Sequence, residues 1–148
     1  MQELYDYATA RGVQIEYCDL RHLNRSGDCH PPTKHIRIQT GLLYRKERCV
    51  LAHELAHEYY GDEPDMFGAL PKRAEDRADE WAAHFLIAPE DYRFAEEKYG
   101  ANTEWIAQEL EVLERLVIAY ERTLHRVGED IYISPRMGAG QYLAKVSA

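Results

Sequence analysis

The chain has 148 residues, enough for a sizeable core, and its 45% hydrophobic and 11% aromatic content excludes a disordered polypeptide. A formal charge of −8 opposes a general role in binding nucleic-acid phosphates. Cys18, Cys29 and Cys49 show no metal-binding pair spacing, the N-terminus lacks an apolar signal core, and no apolar run reaches the roughly 18 residues of a membrane span, so the expectation is a cytoplasmic protein in a reducing compartment.

Gln2 to Arg11 places Leu4, Tyr5 and Ala8 on one side and predicts a short helix stopped by Gly12. Val13 to Tyr17 alternates apolar and polar residues, the pattern of a strand with one buried face. Asn24 to Gly27 reads as a turn and Asp28 to His30 as a short strand stopped by Pro31-Pro32. Lys34 to Gln39 alternates again, with Ile36 and Ile38 pointing inward. These strands are expected to form a small sheet beside the helix that follows. His30 and His35 read as exposed strand or turn residues rather than ligands. The two prolines leave the edge near Gly27 to His30 open for an extended peptide to add as a strand.

Thr40 or Gly41 is expected to cap a helix running to Gly61, since no Gly or Pro interrupts Leu42 to Tyr60. Within it lies His53-Glu54-Leu55-Ala56-His57, the pattern H-E-x-x-H. At about 100° per residue, His53 and His57 sit about 40° apart on one face, one turn apart. Both imidazoles can therefore reach one metal ion. Glu54 lies about 100° round from His53, where it can reach a water on the metal without being a ligand. Val50, Leu51, Ala52, Leu55 and Ala56 make the helix mostly buried. Two buried histidines without partners would cost several kcal/mol, which favours a metal site over two surface histidines.

Asp62 to Leu70 reads as a loop, and Pro71 as the first residue of a helix extending to about Ala88. A catalytic zinc takes three protein ligands and keeps one position for water. Glu75 is the expected third ligand. Ala78, Asp79, Ala82 and Leu86 fall within about 60° of it on the helical wheel. The two alanines allow close approach to the histidine helix. Asp79, one turn on, is expected to accept the free ring N–H of a ligand histidine. His84 points to the opposite side. The alternative H-E-x-x-H-x-x-G-x-x-H pattern fails at Tyr60 and Glu63, leaving Asp62 and Glu63 as secondary candidates.

Pro89 to Tyr99 predicts another helix, stopped by Gly100, and Asn102 or Thr103 caps a periodic segment. Ile106, Leu110, Leu113, Val117, Tyr120 and Leu124 recur at four- and three-residue steps, as in a helical stripe packed on the core. A DNA-reading pair of helices at Ile106 to Ala119 is opposed by charge, because residues 102–126 hold five Glu against three Arg. Ile131 to Ala148 shows little pattern and is expected to be partly mobile.

The chain resembles the ImmA/IrrE family of metallopeptidases. The resemblance is carried by Val50-Leu-Ala-His-Glu-Leu-Ala-His57 with Gly61-Asp62, and by Glu75-x-x-Ala78-Asp79-x-Trp81-Ala82-Ala83-x-x-Leu86-x-x-Pro89, preceded by Ile36-x-Ile38. It implies Glu75 as a zinc ligand, and an intracellular protease acting on a helix-turn-helix repressor of a phage or mobile element. The expected fold is α+β: a small N-terminal sheet packed on a mostly helical domain, with a zincin-like active-site helix and a helical C-terminal region. A single domain is expected over residues 1–148, with the catalytic core in 1–99. The expected function is a Zn²⁺-dependent endopeptidase with His53, His57 and Glu75 on the metal and Glu54 as general base. Its partner would be a protein substrate, with no direct nucleic-acid or membrane partner. The alternative is a non-catalytic, zinc-containing anti-repressor that acts by binding.

Overall fold

The computed structural model describes residues 1–127, 130–133 and 144–146. The fold is α+β and divides into two compact units, Met1–Ala82 and Ala83–Ala148.

In the first unit, helix α1 (Gln2–Arg11) buries Leu4 and Ala8 and ends at Gly12, whose φ of 71° suits a residue without a Cβ. Strands β1 (Gln14–Cys18), β2 (Gly27–His30) and β3 (His35–Gln39) form a sheet in the order β1-β3-β2. β1 runs parallel to β3 and β2 antiparallel to it, so β2 is an edge strand. Ile36 and Ile38 are fully buried, as their alternation predicts. They face the long helix α2 (Tyr44–Tyr60), which packs on β2 and β3.

α2 is buried on every side from Cys49 to Glu58. Leu51 and Leu55 are completely enclosed, each contributing about 1.5–3 kcal/mol of hydrophobic stabilisation. Glu58 is buried as well and is matched by Arg11 of α1, Nε to Oε2 2.6 Å. This ion pair neutralises a charge that would otherwise be costly inside the unit. The cap of α2 falls two or three residues later than the expected Gly41 or Thr40. Leu43 occupies the cap position, with no side-chain hydrogen bond, so turn geometry rather than a polar cap sets the start. Helix α3 (Lys72–Leu86) also starts one residue late, with Pro71 outside it accepting from the Ala74 and Glu75 N–H groups, and it stops two residues before Ala88.

In the second unit, helix α4 (Pro89–Tyr99) begins on its proline and stops at Gly100. Asn102 caps α5 (Thr103–Glu109) by accepting the Trp105 N–H at 3.1 Å. The stripe from Ile106 to Leu124 is not one helix. It breaks between α5 and α6 (Glu114–Thr123), where Glu111 takes φ 52°. The Glu111 N–H donates to Gln108 O and the Val112 N–H to Ala107 O, a Schellman closure with buried Val112 following it. A left-handed Glu in place of Gly gives no signal in the spacing. Strands β4 (Leu124–Val127), β5 (Asp130–Ile133) and β6 (Ala144–Val146) add an antiparallel sheet that the sequence pattern does not announce. The remainder of the tail expected to be mobile, within residues 134–143 and 147–148, lies outside the described residues.

His84 is a half-buried titratable group of the second unit. Its ring packs at a tilt against Tyr120, centroids 4.9 Å apart, and its Nε2–H donates to Thr123 Oγ1 at 2.6 Å. The Thr123 hydroxyl donates onward to the Tyr120 carbonyl, so it can only accept from the histidine. Burial pushes the His84 pKa down to about 4. An unfolded chain takes up this proton near pH 6.5, whereas the folded chain resists it until about pH 4. The resulting stability is complete above pH 6.5 and is lost as pH falls toward 4. Urea unfolding of the metal-free protein should show wild type losing roughly 2 kcal/mol more than His84→Gln between pH 7 and 4.5. Identical acid limbs for the two proteins would contradict this reading.

Candidate metal centre

Three local features assemble this centre. α2 places His53 and His57 one turn apart on a buried segment, 7% and 3% exposed. Gly61, at φ 67°, closes α2 with its N–H on Glu58 O and the Asp62 N–H on His57 O. This Schellman turn folds Asp62 back over the last turn of the helix. Its Oδ2 accepts from His57 Nδ1 at 3.1 Å, while its Oδ1 accepts from Arg77 at 2.5 Å. α3 then presents Glu75 and Asp79 on a face whose Ala78 and Ala82 are fully buried. Asp79 Oδ1 accepts from His53 Nδ1 at 2.7 Å.

With both Nδ1 atoms donating to carboxylates, the Nε2 atoms of neutral rings carry lone pairs. Those atoms face each other at 2.9 Å. Glu75 Oε2 lies 3.1 Å from His53 Nε2, and Oε1 lies 3.8 Å from His57 Nε2. Three electron-pair donors thus converge on one point, an arrangement that repels unless a cation sits among them. A tetrahedral ion with bonds of about 2.0–2.1 Å separates its ligand atoms by about 3.3 Å, close to the spacings here. Two imidazoles and a carboxylate are also the donor types that suit zinc and its neighbours. The residues therefore fit a divalent cation.

Burial lowers the His53 pKa, but hydrogen bonds to Asp79 and Glu75 outweigh it and raise the value to about 9. Burial lowers the His57 pKa most, but Glu75, Asp62 and Glu54 together raise it by more, with a net rise. The two histidines hold Glu75 well below the usual carboxylate range.

His53, His57, Glu75 and Glu54 all line one cleft of about 440 Å³. Its other walls include Gly27 to Cys29 of β2 and Gly68 to Leu70 of the following loop. Glu54 is 8% exposed, and burial raises its pKa. Its side chain lies against Gly27, where a Cβ would stand 3.0 Å from Glu54 Cγ and 2.7 Å from Val50 Cγ1. Glycine at this strand position is what lets β2 pass so close to the motif helix. Arg25 also lines the cleft, donating to Gly68 O at 3.0 Å. The sequence marked Arg25 only as part of a turn.

Other candidates are engaged elsewhere. Asp62 meets Nδ1 of His57 rather than the convergent point. His30 bonds Thr33 at 2.7 Å, and His35 lies 3.1 Å from Glu16. Tyr60 stacks on Arg77 at 3.9 Å. All three cysteines are free thiols.

A family model described as Peptidase M78, IrrE N-terminal-like domain, matches residues 8–121. The chain belongs to this metallopeptidase family. The matched span of the M78 peptidase holds the H-E-x-x-H helix, β2 and the Glu75-bearing turn of α3. No curated protein matches the chain. Among the described residues, no helix is long and apolar enough to cross a membrane.

Proposed function

We propose that this M78 peptidase is a zinc-dependent endopeptidase with His53, His57 and Glu75 as metal ligands and Glu54 as general base. The observation that carries the reading is the convergence of two imidazole lone pairs and a carboxylate beside a buried glutamate in one cleft. Bound zinc supplies Lewis acidity, making water a stronger acid and a peptide carbonyl a better electrophile. Glu54 accepts the proton from the attacking water and delivers it to the leaving amine nitrogen. Its burial moves its pKa toward the working range of such a shuttle. The free edge of β2 gives the substrate backbone a strand to pair with, which holds the scissile carbonyl beside His53 and Glu75.

The substrate we propose is a helix-turn-helix repressor of a phage or mobile element, met in the cytoplasm. Co-expression of a candidate repressor with wild type should yield discrete repressor fragments, and co-expression with Glu54→Gln should yield none. Equal fragmentation by both proteins would reject the reading.

Asp79 and Asp62 fix which ring nitrogen of each histidine carries the proton. Asp79→Asn and Asp62→Asn should each weaken zinc binding by about 10–100-fold in a chelator competition titration. Unchanged affinity in both variants would show that these carboxylates serve packing alone.

A further inference from the structure

A second cavity of about 750 Å³ lies in the first unit, lined by Arg21, Arg25 and Lys46 among neutral residues. Among the described residues no acidic one lines it, although the chain carries 26 acids against 18 bases. Arg25 lines both this cavity and the metal cleft, so the two are neighbours at this residue. One nitrogen of Arg25 donates to Gly68 O, a wall residue of the metal cleft, at 3.0 Å, which holds the side chain in place.

Two acids close by in sequence are hydrogen-bonded, one to a cation and one to a neutral hydroxyl. Asp28 pairs with Arg37, and Glu47 accepts from the Tyr17 hydroxyl at 2.9 Å. Asp19 pairs with Arg21 at 2.6 Å, and counting Asp19 and Glu47 against Arg21, Arg25 and Lys46 the local balance is still positive, at +1. Both members of that pair are solvent-accessible, a kind of contact that exchanges readily. The wall itself is fixed, since Gln39 accepts from Leu20 N at 2.6 Å and donates to Thr40 O at 2.8 Å.

We propose that this cavity binds an acidic side chain of the polypeptide substrate, so that cleavage favours Asp or Glu on one side of the scissile bond. The inference rests on the proteolytic reading above. Arg25 and Ser26 immediately precede β2, so a peptide lying along that edge reaches the cavity from one end only. The acidic preference is therefore one-sided. Nucleic acid is the poorer occupant, because the net charge of −8 repels a phosphate backbone beyond this patch.

Two measurements test this. First, zinc-loaded full-length Glu54→Gln is titrated with a fluorescein-labelled decapeptide containing three consecutive Glu, and with its Gln counterpart. The Glu peptide should bind about tenfold more tightly at 50 mM salt, and the advantage should shrink at 300 mM. Adding Lys46→Glu or Arg21→Glu should erase it without changing the circular dichroism. Equal binding of the two peptides, or an advantage that survives both substitutions, overturns the inference. Tighter binding of a labelled 20-base-pair duplex, lost on Lys46→Glu, overturns it in favour of nucleic acid.

Second, zinc-loaded wild type is given a defined proteome-derived peptide library, and its cleavage sites are mapped by mass spectrometry. Asp and Glu should be enriched on one side of the cut, and Lys46→Glu should remove the enrichment while cleavage continues. Cleavage without acidic enrichment sinks this inference and leaves the peptidase reading intact. Selective binding of the Glu peptide with no cleavage of any library member sinks the peptidase reading and leaves the acidic site standing.

Discussion

The Glu54→Gln variant is expected to bind one equivalent of zinc and to lose peptide hydrolysis by roughly 10²–10⁴-fold, the range a positioned general base supplies. That loss corresponds to about 3–5 kcal/mol of transition-state stabilisation. The substitution is close to isosteric, so Gly27 and Val50, which crowd the Glu54 side chain, keep their places. The fold should not suffer, because burial already disfavours the charge that glutamine removes. Zinc content by elemental analysis, thermal melting and a peptide assay on the same preparation separate these effects. Unchanged hydrolysis would remove Glu54 from the chemistry. Full inactivation of a repressor in cells by a variant that cleaves nothing would favour the non-catalytic anti-repressor.

Replacing Glu75 with alanine should act one step earlier, on the metal itself. Losing a direct ligand should weaken zinc binding by more than the about 10–100-fold that losing an outer partner costs. Glu75 is about half exposed, with its side chain at 46%, so its direct contribution to folding is small once solvent screening is counted. The metal-free variant should therefore melt close to metal-free wild type. The difference should appear on adding zinc. At about 100 times its dissociation constant the ion stabilises wild type by about 2.7 kcal/mol. For a chain of this size that is a rise of roughly 5–10 °C in melting temperature, and Glu75→Ala should show little of it. A variant that takes up zinc and shifts its melting point as wild type does would remove Glu75 from the site.

The parts of the molecule governed by short-range rules were legible in the sequence. Alternation around Ile36 and Ile38 marked β3, and Gly12, Gly61 and Gly100 marked helix ends. The wheel that put Glu75 and Asp79 on one face of α3 anticipated the contacts both make with His53. Features set by a turn were not legible. Asp62 reaches His57 because Gly61 reverses the chain, and a helical wheel stops at the end of its helix. Arg25 reaches the cleft through a loop-to-loop contact with Gly68, a pairing of residues 43 positions apart. The break at Glu111 uses a left-handed residue that is not glycine, so an unbroken stripe concealed two helices.

The central claim is that His53, His57 and Glu75 hold one ion between them. Zinc-loaded crystals measured on both sides of the zinc absorption edge test it most directly. The expected result is one anomalous peak per chain, within bonding distance of His53 Nε2, His57 Nε2 and a Glu75 carboxylate oxygen. A full-occupancy peak elsewhere, or none at the meeting point of these three side chains, would contradict the account.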